Sequence, residues 1–188
     1  MSINAVTCPT CDDQLPEVGF NECGPDLQAD GFIGLLLARP GNPFANIEDP
    51  AEHASRTNET STAATAVRRL FGVGSYAPEY GSTFKVGRLT RYNQNTATVV
   101  FKVYDNNATN YEMARLLGCN TSFLVWRLDS NGNVYGGNNG ISMVLNAREP
   151  MTEDLTGKKY IEIQGTYDYT NMDPRDEYPL FDELDGQI

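Results

Sequence analysis

Alternation between apolar and polar residues is strongest in the second half of the chain. Residues 96–104, 122–129 and 141–148 each place apolar side chains at every second position. A period of two is typical of a β-strand with one buried face. The apolar positions are Ala97, Val99, Phe101 and Val103 in the first stretch, Leu124, Trp126 and Leu128 in the second, and Ile141, Met143, Leu145 and Ala147 in the third. The pattern predicts three half-buried strands around one core.

A single short helix is predicted between the first two of these strands, over residues 110–117. Thr109 and Glu112 have the spacing of a capping box, and Gly118 stands where a helix would end. A helix of this length is not stable alone, so it must pack on the sheet. The residues that would face the sheet are Met113, Leu116 and Leu117.

The other strands are less regular in sequence. Residues 32–39 are apolar on both faces, which predicts a strand inside the sheet or under a neighbouring chain. Residues 84–92 and 96–104 flank Asn93-Gln94-Asn95 and predict a hairpin, preceded by a loop over residues 72–80. A last strand over residues 158–169 should turn inward its apolar residues Ile161, Ile163 and Tyr167. Asp49-Pro50 also predicts one or two turns of helix. Together these elements predict a mainly β (α+β) antiparallel sandwich with one packed helix.

The chain divides into a β domain and two arms. Residues 1–30 are rich in Cys, Pro, Asp and Gly and show no sustained period, so they predict an irregular arm before a domain over residues 31–168. Residues 169–188 form an acidic C-terminal arm interrupted by Pro174 and Pro179. That arm also carries apolar residues, which a purely solvated tail does not need: Tyr178, Leu180, Phe181 and Leu184. We expect it to dock, with another subunit as one candidate surface.

The charge balance limits the partners that the chain can bind. A net charge of −11 and a pI of about 4.4 oppose binding to DNA phosphates and to anionic membranes. Residues 1–7 lack the basic and apolar regions of a signal peptide, and residues 32–38 form an apolar run too short to span a bilayer. We therefore expect a protein that remains in the compartment where it is made.

The sharpest local motif is Cys8-Pro9-Thr10-Cys11 followed by Cys23. A C-x-x-C turn places two thiolates at the spacing of a tetrahedral zinc site, and Cys23 would give a third ligand. Cys119, His53 or an acidic side chain such as Asp12 would have to be the fourth ligand. Ordinary thiols and redox chemistry are the alternatives, although the C-x-x-C does not open a helix beside a parallel strand.

No residue set in the sequence predicts catalysis. His53 is the only histidine, and its place after a helix cap and beside Glu52 predicts a solvated surface side chain. The segment 129–133 begins like an EF-hand loop but lacks the required glycine and glutamate, so it predicts a hairpin turn. We therefore expect a protein that is not an enzyme. The basic residues Arg68, Arg69, Lys85, Arg88 and Arg91 are as well explained by pairing with an acidic arm of another chain as by a ligand.

From residue 84 onward the order of predicted elements resembles the phage tail-tube and ring-protein fold. More narrowly, the chain is similar to small virion structural proteins of crAss-like, short-tailed phages of gut Bacteroidales, in particular the ring components between portal and tail. The residues that carry the resemblance are 101–107, 111–117, Phe123-Leu124-Val125-Trp126-Arg127-Leu128-Asp129 and Gly136-Gly137. The N-terminal cysteine segment is no part of that pattern.

The resemblance implies a ring subunit of the portal-to-tail connector, located in the virion and made in the host cytoplasm. Copies of the chain would join by continuing their sheets edge to edge, and loops and arms would grip the portal or neighbouring rings. DNA would pass through the ring without specific binding, past an acidic lining. The alternative function is a zinc-stabilised protein-binding module built on Cys8, Cys11 and Cys23.

Overall fold

Ten strands and two helices form the fold of the described residues. The computed structural model describes residues 31–57, 63–117, 122–150, 159–169 and 172–181. The elements are β1 (Phe32–Ala38), α1 (Pro50–Arg56), β2 (Val67–Glu79), β3 (Thr83–Val86), β4 (Leu89–Tyr92), β5 (Asn95–Val103), α2 (Ala108–Leu117), β6 (Ser122–Asp129), β7 (Asn133–Tyr135), β8 (Ile141–Arg148), β9 (Ile161–Tyr169) and β10 (Arg175–Glu177).

Six of the strands close into an antiparallel barrel. The order is β1-β2-β5-β9-β8-β6, and β6 pairs back with β1 from Phe32↔Asp129 to Ala38↔Leu124. The prediction of a mainly β, antiparallel fold is confirmed, but the prediction of a sandwich is wrong. A closed barrel has no open margin of its own. Edge-to-edge continuation of the barrel sheet, which the resemblance implied, is therefore not available to these six strands.

The alternating residues that the sequence picked out in β5, β8 and β9 fill the barrel interior. Leu124, Trp126 and Leu128 of β6 instead pack in a second cluster outside it, so the prediction of one core is wrong. In β5 the side chains of Ala97, Val99, Phe101 and Val103 are all buried, and in β8 those of Ile141, Met143 and Leu145. Ala147 is partly buried against the same cluster, and β9 contributes Ile161, Ile163 and Tyr167 as predicted. Period-two burial on one face is what a closed sheet requires of its inward positions.

A second core lies outside the barrel, against β1 and β6. In β1, Leu35 and Leu37 point into the barrel, whereas Leu36 and Ala38 belong to the outer cluster. This arrangement explains why β1 is apolar on both faces without a neighbouring chain. The outer cluster also contains Phe44, Ile47, Val67, Trp126, Leu128, Val134, Tyr178 and Leu180. Residues 172–181, which we name the C-terminal strap, thus dock on their own chain.

The two helices that the sequence predicted are both present in the described residues. The side chain of Asp49 caps α1 by accepting a hydrogen bond from Ala51 N at 2.9 Å, as the sequence predicted. Helix α2 begins at Ala108, and Asn107 rather than Thr109 accepts the capping bond, from Asn110 N at 2.8 Å. Leu117 is buried in the barrel cluster, but Leu116 is 60% exposed, so its predicted packing is wrong.

The segment before β5 differs most from the sequence reading. Residues 72–79 belong to β2 and are not a loop, and β4 pairs with β3 instead of β5. Glycines and Pro78 made β2 look irregular, yet two of these glycines serve close packing. A Cβ at Gly72 would lie 2.1 Å from Lys102 O, and one at Gly74 would meet the Phe32 ring at 2.1 Å. Glycine within a strand often marks such an approach.

Candidate interaction site

A long two-stranded ribbon runs from the barrel wall into solvent. Strands β2 and β5 pair from Val73↔Lys102 to Glu79↔Thr96, and β3 and β4 continue in the same register to Val86↔Leu89. Between the two ladders, Asn93 N donates to Ser82 O at 2.8 Å. Gly87 has a φ of 63° at the first position of the two-residue turn, as the primed hairpin turns require.

The distal part of this ribbon lies beyond the end of the barrel. Strand β1 reaches β2 only as far as Gly74, and β9 ends at Tyr169, opposite Asn95. Residues 80–94 therefore have only each other as strand partners in the described part of the chain. At about 3.3 Å per residue they extend roughly 25 Å past the barrel. We name residues 80–95 the projecting hairpin.

One face of the projecting hairpin is apolar and exposed. Phe84 and Val86 lie two residues apart on β3, and Leu89 is the cross-strand partner of Val86, so the three share a face. Their exposed fractions are 45%, 55% and 60%. All residues from 82 to 90 are exposed, so neither face of the ribbon packs on the described part of its own chain. A two-stranded ribbon of this kind is at best marginally stable alone in water.

The projecting hairpin also differs in charge from the rest of the protein. It carries three of the 14 Lys and Arg residues, Lys85, Arg88 and Arg91, and none of the 25 Asp and Glu residues. The remaining predicted basic residues, Arg68 and Arg69, lie on β2 in the barrel wall. The basic cluster of the sequence is therefore split, and only its hairpin part projects.

A buried polar cluster caps the barrel at the base of this ribbon. The guanidinium of Arg127 donates to Asp173 at 2.5 Å and lies over the Tyr76 ring at 3.8 Å. The same carboxylate accepts from the hydroxyl of Tyr167. Burial, reinforced by the Asp173 hydrogen bond, raises the pKa of Tyr167 far above its ordinary value. Because Tyr76 lies on β2, the cluster fixes the strand from which the hairpin departs.

His53 is buried, which corrects the prediction of a solvated surface side chain. It is fully inaccessible, its ring stacks on Phe44 at 4.3 Å, and it meets Tyr178 edge-on at 5.1 Å. Nε2 donates to Ile47 O at 2.7 Å, and Nδ1 has no hydrogen-bond partner among the described residues. Its role is to join the α1 segment to the C-terminal strap.

The stability of the protein should depend on the protonation of His53. Burial is the main factor that lowers the pKa of His53 below 6.5, opposed by the Ile47 hydrogen bond and Glu52 and assisted by Arg56 and Arg69. The unfolded chain therefore binds a proton that the folded chain resists. The contribution of neutral His53 to the free energy of unfolding is fully present above pH 6.5. At lower pH the free energy of unfolding decreases by up to about 1.4 kcal/mol per pH unit.

Urea unfolding at pH 7.5 and pH 5.5 checks this expectation against His53→Gln, whose amide can still donate to Ile47 O. Between the two pH values the wild type should lose more stability than the variant, because only the wild type has the buried His53. The carboxylates titrate alike in both proteins, so their contribution cancels in the comparison. Equal losses would mean that His53 is not a neutral buried group.

The predicted metal ligands lie outside the described residues. Cys8, Cys11, Cys23, Cys119 and Asp12 belong to ranges that the structure does not describe. His53, the other candidate fourth ligand, is enclosed in the outer core. Within the described ranges, no group of three or more His, Cys, Asp and Glu side chains could hold a metal ion.

The Asp129 segment is a hairpin turn, as the sequence predicted. The Asp129 carboxylate accepts from Asn131 N at 2.9 Å, from Asn133 N at 2.8 Å and from the Tyr135 hydroxyl at 3.1 Å. These bonds occupy both oxygens of the Asp129 carboxylate, which would be the first calcium ligand of an EF-hand.

Two features of the site were missed by sequence reasoning. The hairpin turn was hidden because residues 84–92 were read as one strand, although Val86-Gly87-Arg88-Leu89 has glycine at the first turn position. The pairing of Arg127 with Asp173 joins residues that are 46 positions apart. No local pattern predicts that contact.

Comparisons with protein-family models, curated proteins and solved structures find no match to this chain. No helix among the described residues is long and apolar enough to cross a membrane.

Proposed function

We propose that the chain is a ring subunit of a portal-to-tail connector in a short-tailed bacteriophage, forming part of the channel through which DNA leaves the virion. The partners would be copies of itself, together with the portal, neighbouring rings or tail proteins. The resemblance of residues 101–137 to ring components supports this proposal. Under this proposal the protein is located in the virion and catalyses no reaction.

The observation that carries the proposal is the projecting hairpin. One face of the ribbon consists of Phe84, Val86 and Leu89, and the described residues of the same chain leave this apolar face exposed. Exposed apolar patches of this kind mark protein–protein contacts. A subunit that is always assembled can carry such an arm, because its neighbours complete the packing.

The closed barrel changes the way in which subunits would join. The six barrel strands close on themselves, and beyond the barrel β6 pairs only with β7 of the same chain among the described residues. Strand-edge contacts between subunits must therefore come from elements outside the barrel. The projecting hairpin supplies one such element. The C-terminal strap is committed to its own chain through the pairing of β10 with β7 and the burial of Tyr178 and Leu180.

The acidic balance suits a channel for DNA. A net charge of −11 on each subunit repels phosphate at short range, so DNA would slide past without being held. The proposal requires a lumen that is acidic or neutral. The basic hairpins must then point away from the lumen.

The native mass of the purified full-length chain tests the proposal. We expect multi-subunit particles at micromolar concentration, and electron micrographs should show a closed ring with a central hole. A three-dimensional map should place acidic or neutral side chains on the lumen. A chain that stays monomeric at every concentration, or a ring with a basic lumen, would contradict the proposal.

The second candidate function is a zinc-stabilised protein-binding module, which the spacing of Cys8, Cys11 and Cys23 favours. The burial of His53 removes it as an accessible fourth ligand and leaves Cys119 or an acidic side chain. Metal analysis of the wild type and of a triple Cys→Ser variant separates the candidates. Stoichiometric zinc that disappears in the variant supports the module, and its absence from the wild type excludes it.

A further inference from the structure

We propose that the projecting hairpin docks head to tail on the α2 end of a second copy of this chain. The inference deepens the proposed function, because it rests on the assumption that the partner is another copy. It assigns the hairpin as donor and the exposed side of α2, with the residues just before it, as acceptor.

Charge favours a second copy as the partner. The hairpin carries Lys85, Arg88 and Arg91 and no acidic residue, whereas the chain as a whole has a net charge of −11. Two whole copies repel each other, but the basic hairpin of one copy is attracted to the negative charge of the next, which lies mainly in residues 1–30 and 169–188. Two hairpins brought face to face would place positively charged residues opposite one another. Self-pairing of hairpins is therefore disfavoured, and a contact between different surfaces is favoured.

The direction of β5 places donor and acceptor at opposite ends of the barrel. Strand β5 begins at Asn95, at the base of the hairpin, and ends at Val103, shortly before α2. A subunit with a donor at one end and an acceptor at the other makes heterologous contacts. Repetition of such contacts closes a ring or extends a filament.

The α2 end offers apolar and acidic side chains together. Leu116 is 60% exposed and lies one helical turn from Glu112, and Tyr104 is 47% exposed beside the exposed Asp105. Arg115 pairs with Glu112 at 2.9 Å, but both side chains are about two-thirds exposed. A pair so exposed contributes little and can be exchanged for the hairpin cations. Phe84, Val86 and Leu89 would thus meet Leu116 beside the Glu112 carboxylate.

Two variants of the full-length chain test the assignment. The donor variant Phe84→Ser, Val86→Thr, Leu89→Ser removes the apolar face and keeps the basic residues. The acceptor variant Leu116→Lys places a cation where the hairpin would dock. Each should weaken association by at least about 30-fold, as substitutions at hot-spot residues do. Val73→Ser and Val144→Ser, at exposed barrel positions, serve as controls and should associate like the wild type.

Mixing the two variants gives the sharpest result. Each alone should sediment as a monomer, but the mixture should form a dimer, because the acceptor variant still has a hairpin and the donor variant still has an α2 surface. Circular dichroism should show that both variants are folded. Assembly of the acceptor variant at wild-type strength, or failure of the mixture to pair, would overturn the inference.

The outcomes also separate this inference from the proposed function. Wild-type rings that persist in the donor variant would overturn the hairpin contact and leave the ring subunit standing. Filaments that require the hairpin and have no central hole would support the hairpin contact and contradict the ring subunit. Tight binding of a labelled DNA duplex to the wild type, lost in Lys85→Ala, Arg88→Ala, would make nucleic acid the occupant and would overturn the second-copy assignment.

Discussion

Replacing Asp173 by asparagine should reduce the free energy of unfolding by about 3–5 kcal/mol, the usual loss when a buried charge loses its partner. The side chains of Arg127 and Asp173 are only 6% and 9% exposed. Asparagine keeps the size of the side chain but leaves the guanidinium without a counter-charge beneath Tyr76 and Tyr135. Urea unfolding at pH 7 measures the loss.

Asp168→Asn is the matched control, because Asp168 is an exposed carboxylate on β9. It should change stability by no more than about 0.5 kcal/mol. The double variant Arg127→Met, Asp173→Leu should recover much of the loss, since an apolar pair of similar volume needs no compensation. Equal effects of Asp173→Asn and Asp168→Asn would show that water reaches the Arg127 guanidinium.

The same cluster links stability to the projecting hairpin. Tyr76 lies on β2, three residues before the end of that strand, and contacts both the Arg127 guanidinium and the Tyr167 hydroxyl. Breaking the Arg127–Asp173 pair should therefore destabilise the base of the ribbon before the barrel unfolds. The position of the hairpin, and with it any contact to a second copy, depends on an ion pair some distance from the turn.

Regular alternation was the part of the fold that sequence could predict. β5, β8 and β9 bury the positions that a period of two selects, because each presents one face to the barrel interior. β1 was predicted to be covered on both faces, which is confirmed, but the cover is the outer core of the same chain. No local pattern distinguishes a strand under a neighbouring subunit from a strand under its own strap.

Barrel closure and the buried polar residues could not be predicted because they depend on long-range contacts. The pairing of β1 with β6 joins residues about ninety positions apart along the chain. His53 resembles a surface residue by its neighbours in sequence, since it follows a helix cap and Glu52. It is buried because Phe44 and Tyr178, distant from each other in sequence, enclose the same ring.

The hairpin shows why an exposed element can be harder to predict than a core. Its turn has only one glycine, Gly87, and its strands are four residues each. Read locally, Phe84, Val86 and Leu89 suggest burial, and sequence alone gives no reason for a strand to leave its sheet. Only the ends of β1 and β9 reveal that the ribbon continues past the barrel.

Replacing Trp126 by alanine should cost about 3–5 kcal/mol, the range measured for large aromatic residues truncated in cores. The indole is fully buried, meets Phe44 edge-on at 4.9 Å and donates from Nε1 to Gly137 O at 2.7 Å. The following loop closes on it so tightly that a Cβ at Gly140, whose φ is +66°, would lie 2.7 Å from the ring. No nearby backbone can collapse into the space without giving up that turn.

Trp126→Phe separates packing from hydrogen bonding, because it keeps much of the apolar volume and removes the donor to Gly137 O. It should cost about 1–3 kcal/mol, the penalty for one unsatisfied buried group. Because Tyr178 and Leu180 of the strap share this core, limited proteolysis should cut residues 172–181 faster in Trp126→Ala than in the exposed control Val144→Ala. If the stability fell but the strap were cleaved at the control rate, the outer core would not be what holds the strap. The pairing of β10 with β7 would then be its main attachment.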